Sequence, residues 1–383
     1  MLLYDKMLES NMYQYGIRLP MSPSRTGKIL DHLEQERCGF PLLSLVEAAE
    51  ELGLDSPLLS REDLERVHQR EYIARLYNES CPGKPETGNS LEKELLKTFE
   101  LVNPDGTYNR YEPDKALKPL TELFKTILYR TSGSYIACRL ALENRENFQR
   151  KTYSKIPGDI QGQCLLEGFC FYLGGGQHHA RFDTGSGFCV LNDVILAARK
   201  IQAEGRAGLI WIIDVDAHKG DGSAELVKFS RDRGETFTGK DPEIITLSVH
   251  MAAGWPLDAK SLAEAEHGRA PLVESDIDIP VAQGEEAFYL PRLSEGLAEL
   301  ERRSGGRKPG LTIVVDGVDV YEKDGLASTS LIALSEEQCF ARDRMIFSFL
   351  KDRGIPSAWL MAGGYGENAW KPTANFLASL STA

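Results

Sequence analysis

The sequence predicts a single α/β domain over residues 1–383, with a mostly parallel central sheet and helices on both faces. Three observations carry that prediction. Five short apolar runs, at 169–173, 209–213, 244–249, 311–315 and 358–361, have the length and composition of strands buried on both sides. Helical stretches alternate with them, which is the pattern of a parallel sheet covered by helices. The polar and glycine residues gather just past the ends of those runs, where ligands lie in such sheets.

Taken in order, residues 1–38 read as irregular, with Pro20, Pro23 and Gly27. Apolar residues then recur at helical spacing over 41–52 and 61–77, where Leu64, Val67, His68, Ile73 and Leu76 fall on or near one face. Residues 81–90 are rich in Pro and Gly and read as a loop. Helices are expected at 91–101 and 115–142, the second broken near Pro119 and Gly133. The polar stretch 144–163 reads as a surface insertion. The 169–173 strand runs into Gly174-Gly175-Gly176, and an amphipathic helix follows over 189–204, ending at Gly205. Helices at 285–303 and 336–351 separate the later strands. No internal repeat, coiled coil or low-complexity tail interrupts this plan.

The chain has 383 residues, 42% of them hydrophobic, so it can bury a large core. Its net charge of −13 argues against direct nucleic-acid binding, which needs dense Lys and Arg, and suits cationic partners. Seven scattered cysteines without a CxxC argue against a disulfide frame or a Cys-rich zinc site. The first ten residues lack the apolar core of a signal peptide, and no apolar run reaches the ~18 residues of a membrane span. A reducing cytoplasm is the expected location.

The densest chemistry follows the 209–213 run. Asp214, Asp216 and Asp221 surround His218, with glycines at 220 and 222. Carboxylates at the end of a buried strand are costly without a partner, and a divalent cation is the simplest one. Asp216 and His218, two apart on an extended segment, point to one side. Asp319, beyond the 311–315 strand, completes a mixed set suited to Zn²⁺ with a position left open. His178 and His179 sit on the Gly-rich loop and could divide acid and base duties, with Asp214 and Asp221 as candidate partners. Tyr365, in Gly363-Gly364-Tyr365-Gly366, could donate to an oxyanion. His32, His68 and His267 read as structural or surface residues.

These residues carry a resemblance to a known family. Gly176-Gln177-His178-His179-Ala180 with Ser186-Gly187-Phe188-Cys189-Val190-Leu191-Asn192-Asp193 resembles the tandem-histidine segment of the histone deacetylase family, within the arginase-like deacetylase fold. Ile213-Asp214-Val215-Asp216-Ala217-His218-Lys219-Gly220-Asp221-Gly222 resembles its metal-binding segment. Gly317-Val318-Asp319 and Asp324-Gly325-Leu326, Ala362-Gly363-Gly364-Tyr365, and Val67-His68 through Tyr72-Ile73 resemble further family segments, in family order. The resemblance implies zinc-dependent hydrolysis of an acylated amine, such as acetyl-lysine or an acetylpolyamine. It implies one catalytic Zn²⁺ on Asp216, His218 and Asp319, and His178 and His179 as acid–base pair oriented by Asp214 and Asp221. Tyr365 becomes the oxyanion donor, Gly187, Phe188 and Trp255 line the acyl-lysine tunnel, and Arg25 lies near a pocket for released acetate. It also implies a structural monovalent cation, K⁺ or Na⁺, held around Asp214, Asp216, His218, Ser248 and Val249.

The chain departs from the family pattern at Lys219, where a histidine is usual, at Trp255 in place of Phe, at Leu19 in place of His, and in the 144–163 insertion. Two alternatives have testable signatures. An arginase-like ureohydrolase with two manganese ions needs carboxylates two residues after His218 and after Asp319, where Gly220 and Tyr321 stand. A non-catalytic acyl-lysine binding module would be expected to have lost Tyr365 or the tandem histidines, and both are present.

Overall fold

The apolar runs pair side by side as parallel strands, which requires that both faces of the sheet be covered. The computed structural model describes residues 1–6, 11–19, 22, 24–79, 89–143, 166–234, 243–258 and 272–381. The strands are β1 (Leu2–Leu3), β2 (Leu42–Leu43), β3 (Phe169–Tyr172), β4 (Leu209–Asp214), β5 (Glu243–Met251), β6 (Ile277–Val281), β7 (Leu311–Val315) and β8 (Ser357–Leu360). They form one sheet in the order β2-β1-β3-β8-β7-β4-β5-β6, with every neighbouring pair parallel.

The helices are α1 (Arg25–Gln35), α2 (Leu45–Glu51), α3 (Arg61–Glu65), α4 (Arg70–Leu76), α5 (Ser90–Thr98), α6 (Leu123–Leu142), α7 (Asp193–Ala203), α8 (Asp221–Asp232), α9 (Tyr289–Arg303), α10 (Glu336–Asp352) and α11 (Lys371–Ser381). Alternation along β4 divides the core between the two faces. Ile210 and Ile212 join the apolar cluster built with α6, α7 and α8. Leu209, Trp211 and Ile213 join the one built with α1, α9, α10 and α11. Among the described residues no helix is long and apolar enough to cross a membrane. The 144–163 insertion, the 81–88 part of the expected loop and His267 lie outside the described residues.

Several expectations need correction. Residues 1–38 are not irregular: they hold β1 and α1, and Gly27 sits inside the helix. The break expected at Gly133 is absent, because α6 runs unbroken through it. A Cβ there would lie 2.2 Å from the ring of Tyr172, so the glycine lets α6 rest directly on β3. The break at Pro119 does hold, as a short 3₁₀ turn (Leu120–Glu122) precedes α6. The strand β6 was not foreseen, since Asp278 and Pro280 interrupt its apolar pattern. Both are tolerated because β6 is the edge of the sheet. The helices α8 and α11 were also missed.

The helix expected over 61–77 is two helices, and His68 occupies the joint. Its Nδ1 donates to the carbonyl of Arg181 at 2.8 Å, and its Nε2 accepts from the backbone N–H of Asn192 at 3.0 Å. These two backbone groups fix the neutral ring, since a second ring proton would face an N–H. Burial lowers its pKa to about 4. The folded value lies below the ordinary ~6.5, so His68 contributes stability above about pH 6.5 that is lost as pH falls toward 4. The loss should reach about 3 kcal/mol by the low end of that window. Urea unfolding at pH 7.5 and pH 4.5 tests this in the wild type and in His68→Gln. The variant should lose less stability between the two pH values, and an equal loss would show that His68 is not responsible.

Candidate active site

Five neighbouring strands, β3, β8, β7, β4 and β5, send their following loops to one side of the sheet, and the polar residues singled out in the sequence converge there. Beyond β4 the chain carries Asp216 and His218, and beyond β7 it carries Asp319, all three buried. The ligand-type atoms of this trio lie within 4.8 Å of one another. Among the described residues it is the one group of three or more such side chains able to hold a metal. His218 Nδ1 is 3.3 Å from Asp216 Oδ1 and 3.2 Å from Asp319 Oδ2. Backbone N–H groups hold the other carboxylate oxygens: Gly363 donates to Asp216 Oδ2 and Ala217 to Asp319 Oδ1, both at 2.9 Å.

This trio fits a divalent ion. Asp319 Oδ2 is buried without a hydrogen-bond partner, a state that is costly unless a cation meets it. The charge states conflict in the same way. Burial opposes ionisation of Asp216, yet His178 and His218 hold its carboxyl well below the usual range. Burial and the adjacent Asp216 push that of Asp319 up. Glycine makes the close approach of the loops possible, because a Cβ on Gly363 would lie 2.4 Å from Asp216 Oδ2 and 2.6 Å from Asp319 Oδ2.

The loop after β3 brings in the tandem histidines. His178 Nδ1 is 2.6 Å from Asp214 Oδ2, and His179 Nδ1 is 2.8 Å from Asp221 Oδ1. The two rings are 3.9 Å apart, and their environments separate them. Burial disfavours the charged ring of His178, but Asp214 and Asp216 outweigh it and raise its pKa to about 9. Burial and the neighbouring His178 lower His179 to about 4. The segment Asn192-Asp193 anchors this loop in a way the sequence did not disclose. Asn192 caps α7 and donates through Nδ2 to the carbonyls of His178 and Ala180 at 3.2 and 3.1 Å. Asp193, whose pKa burial raises to about 6, accepts from the N–H groups of Gly176 and Gln177 at 2.9 and 2.6 Å.

Tyr365 is set by the loop after β7. Asp324 Oδ2 accepts its N–H at 2.6 Å, and Gly325 donates to its carbonyl at 3.0 Å. Burial raises the phenol's pKa well above the ordinary value, so it stays protonated. Tyr365 lines a cavity of about 220 Å³ together with His178, His179, Asp216 and His218. Gly187, Phe188 and Trp255 form its walls. Gly187 and Phe188 are the centre of a tight turn, with Ser186 and Cys189 exchanging both backbone hydrogen bonds and φ of 52° and 64°. A left-handed Phe is a strained choice, retained where surrounding structure dictates it. Trp255 stands edge-on over the histidines, 4.5 Å from the ring of His179 and 5.7 Å from that of His218.

Arg25, the first residue of α1, lies behind the tyrosine loop. Its Nη1 donates to the carbonyl of Ala362 at 2.9 Å, while Nε and Nη2 are buried without hydrogen-bond partners. It lines a second cavity of about 190 Å³ that shares Gly187, Phe188 and Tyr365 with the first. The residues expected around a monovalent cation sit on adjacent strand ends. Asp214 and Ser248 are register partners across β4 and β5, with Val249 next in line, and Ser248 Oγ lies 3.0 Å from His250 Nδ1. Lys219 is buried. Its Nζ pairs with Asp278 on β6 at 2.5 Å, so its charge is neutralised there. His32 packs against Trp370, away from the site.

Arg342, in the middle of α10, carries no local signal of its role. Fully buried, it donates to Asp316 Oδ1, Asp343 Oδ1 and the carbonyl of Gly317, each at 2.7 Å, and to the carbonyl of Val215 at 3.0 Å. It thereby ties the ends of β4 and β7, the two segments that carry the metal-type ligands. Asp316, just beyond β7, is its ion-pair partner.

The family model for the histone deacetylase domain matches residues 19–379. An uncharacterized protein of Picosynechococcus sp. is 29% identical over 280 residues, 72% of this chain and 83% of that one. Histone deacetylase 2 of Arabidopsis thaliana is 27% identical over 214 residues, 56% of this chain and 49% of the plant protein. The acetoin utilization protein AcuC of Staphylococcus aureus is 28% identical over 301 residues, 73% of this chain and 71% of AcuC.

Removing Arg342 leaves Asp316 and Asp343 buried without their cation and two carbonyls without a donor. Arg342→Met should cost about 3–5 kcal/mol. It should also weaken binding of added Zn²⁺, because the strand ends lose their tie. Thermal unfolding and calorimetric zinc titration read the two effects, and a variant with unchanged Tm would refute this role.

Proposed function

The chain belongs to the histone deacetylase family, and from that premise we propose that it hydrolyses the amide of an acylated amine with one zinc ion held by Asp216, His218 and Asp319. The acetyl-lysine and acetylpolyamine classes are the proposed substrates. The observation that carries this is the convergence of the buried trio, two His–Asp pairs and Tyr365 on one cavity of about 220 Å³. Bound there, the ion would supply a Lewis acid for the amide carbonyl and for water.

The side chains divide the remaining work. The Nδ1–H of His179 is committed to Asp221, which leaves Nε2 of the neutral ring to take a proton from water. His178, whose Nδ1 is paired with Asp214, is placed to give a proton to the departing amine. The protonated phenol of Tyr365 donates to the oxyanion. The turn at Gly187 and Phe188, with Trp255, leaves a slot fit for an unbranched amine stem. Arg25, with two unpartnered N–H-bearing atoms, is proposed to hold the released carboxylate in the second cavity. Asp214, Asp216, His218, Ser248 and Val249 are proposed to take a monovalent cation, for which the pairing of Asp214 with Ser248 is the support.

The binuclear ureohydrolase reading gains nothing from the geometry. A Cβ at Gly220 would lie 2.3 Å from Asp214 Oδ2, and the hydroxyl of Tyr321 is bonded to Glu336.

Elemental analysis of the purified protein should therefore find about one tightly held divalent ion per chain. Activity that requires two equivalents of manganese would favour the ureohydrolase. Changing Tyr365 to Phe removes the hydroxyl and keeps the ring, so kcat on an acetylated amine should fall by about 10²–10³ with Tm unchanged. Full turnover by that variant would take Tyr365 out of the mechanism.

A further inference from the structure

The mouth of the cavity carries a charged pair that the reaction itself does not use. Glu100 and Arg110 line it on the outer side, with Arg110 Nη1 3.8 Å from Glu100 Oε2. Both side chains are about half-exposed. A surface ion pair of this kind adds little to stability. The backbone, however, is held in an unfavourable conformation to present it.

Glu100 follows the C-cap Phe99 of α5 and has φ of 52°. That position is normally glycine, because a side chain in the left-handed region meets its own backbone. A carboxylate is doubly unsuited there, since the end of a helix repels negative charge. Arg110 has φ of 53°. Arg37 after α1 and Asn78 after α4 take left-handed positions as well, but neither lines this cavity. Glu100 and Arg110 close the two ends of one loop, and the loop is pinned at both. Asn109 donates through Nδ2 to the carbonyl of Glu100 at 2.9 Å and through its N–H to that of Leu101 at 2.8 Å. The N–H of Arg18 donates to the carbonyl of Arg110 at 2.8 Å.

Aromatic side chains line the cavity beneath the pair. Trp255 covers the histidines, Phe188 lines the same cavity, and the guanidinium of Arg110 lies 5.8 Å from the centre of the Phe188 ring. A cavity of about 220 Å³ is below the ~300–1,000 Å³ common for larger ligands.

We propose that Arg110 and Glu100 receive the α-carboxylate and α-ammonium of a free amino acid whose side-chain amine is acylated, so that the substrate is a small zwitterion of the Nε-acetyl-lysine type. The inference rests on the deacylase reading above and names its substrate class. A guanidinium offers the two-pronged donor that a carboxylate matches, and the glutamate offers the counter-charge for the ammonium beside it. A lysine inside a polypeptide has neutral amides at these two places and meets neither charge.

The test is calorimetric binding and kcat/KM for two probes on the zinc-loaded protein. One probe is free Nε-acetyl-L-lysine. The other is the same compound with its α-amine acetylated and its carboxyl amidated. The free amino acid should bind at least tenfold more tightly, and that ratio should fall toward one in Arg110→Met and in Glu100→Gln. Both sites are at the surface, and an unchanged Tm confirms folding. A capped compound bound and cleaved as well as the free one overturns the inference and leaves the deacylase reading intact. So does a ratio that neither variant moves. Tight binding of the free amino acid, with no hydrolysis of any acetylated amine, supports the mouth and overturns the deacylase reading instead.

Discussion

Two carboxylates, Asp216 and Asp319, lie buried side by side against one imidazole, and most of what surrounds them follows from the difficulty of keeping them there. Like charges out of water repel and lose their hydration, so each must be met by a donor or a cation. Backbone N–H groups from two loops, those after β4 and β8, meet three of the four oxygens. The fourth, Asp319 Oδ2, has no such partner. Arg342 neutralises the layer beneath and holds the two strand ends in register. Glycines at 317 and 363 leave the carboxylates room that any side chain would fill. The same logic places the tandem histidines, whose loop is hung from Asn192 and Asp193 at the start of α7.

Much of this arrangement was legible in the sequence because parallel strands gather their C-terminal loops on one side. Asp216, His218 and Asp319 could be grouped from strand ends alone, and so could the histidine and tyrosine loops. What escaped the sequence was of a different kind. Arg342 sits in an ordinary amphipathic helix, and nothing local tells a buried arginine from a surface one. Asp193 reads as a helix-start residue, while its bonds run to a loop sixteen residues earlier. Glu100 and Arg110 matter because of a backbone angle that only glycine would have advertised. The edge strand β6 was missed because Asp278 and Pro280 break its apolar run, and β1 because two residues carry no periodicity.

The turn at Phe188 and the helix end at Glu100 make a related point about where this protein accepts strain. Both residues take the left-handed conformation, and both line the approach to the buried trio. Away from the cavity, left-handed positions fall mostly to glycine. Local discomfort is thus concentrated where side-chain direction matters.

The position of β8 has a consequence for how the molecule comes into being. It is the last strand in the chain, yet it lies between β3 and β7 in the middle of the sheet. During synthesis, both of those strands present an unpaired hydrogen-bonding edge until residues 357–360 leave the ribosome. Pairings between such distant segments form slowly, and open edges invite association with other chains in the interval. The strand that finally fills the gap also delivers the Tyr365 loop. A nascent chain therefore acquires its seal against aggregation and its chemistry in one late event, and a truncated product acquires neither.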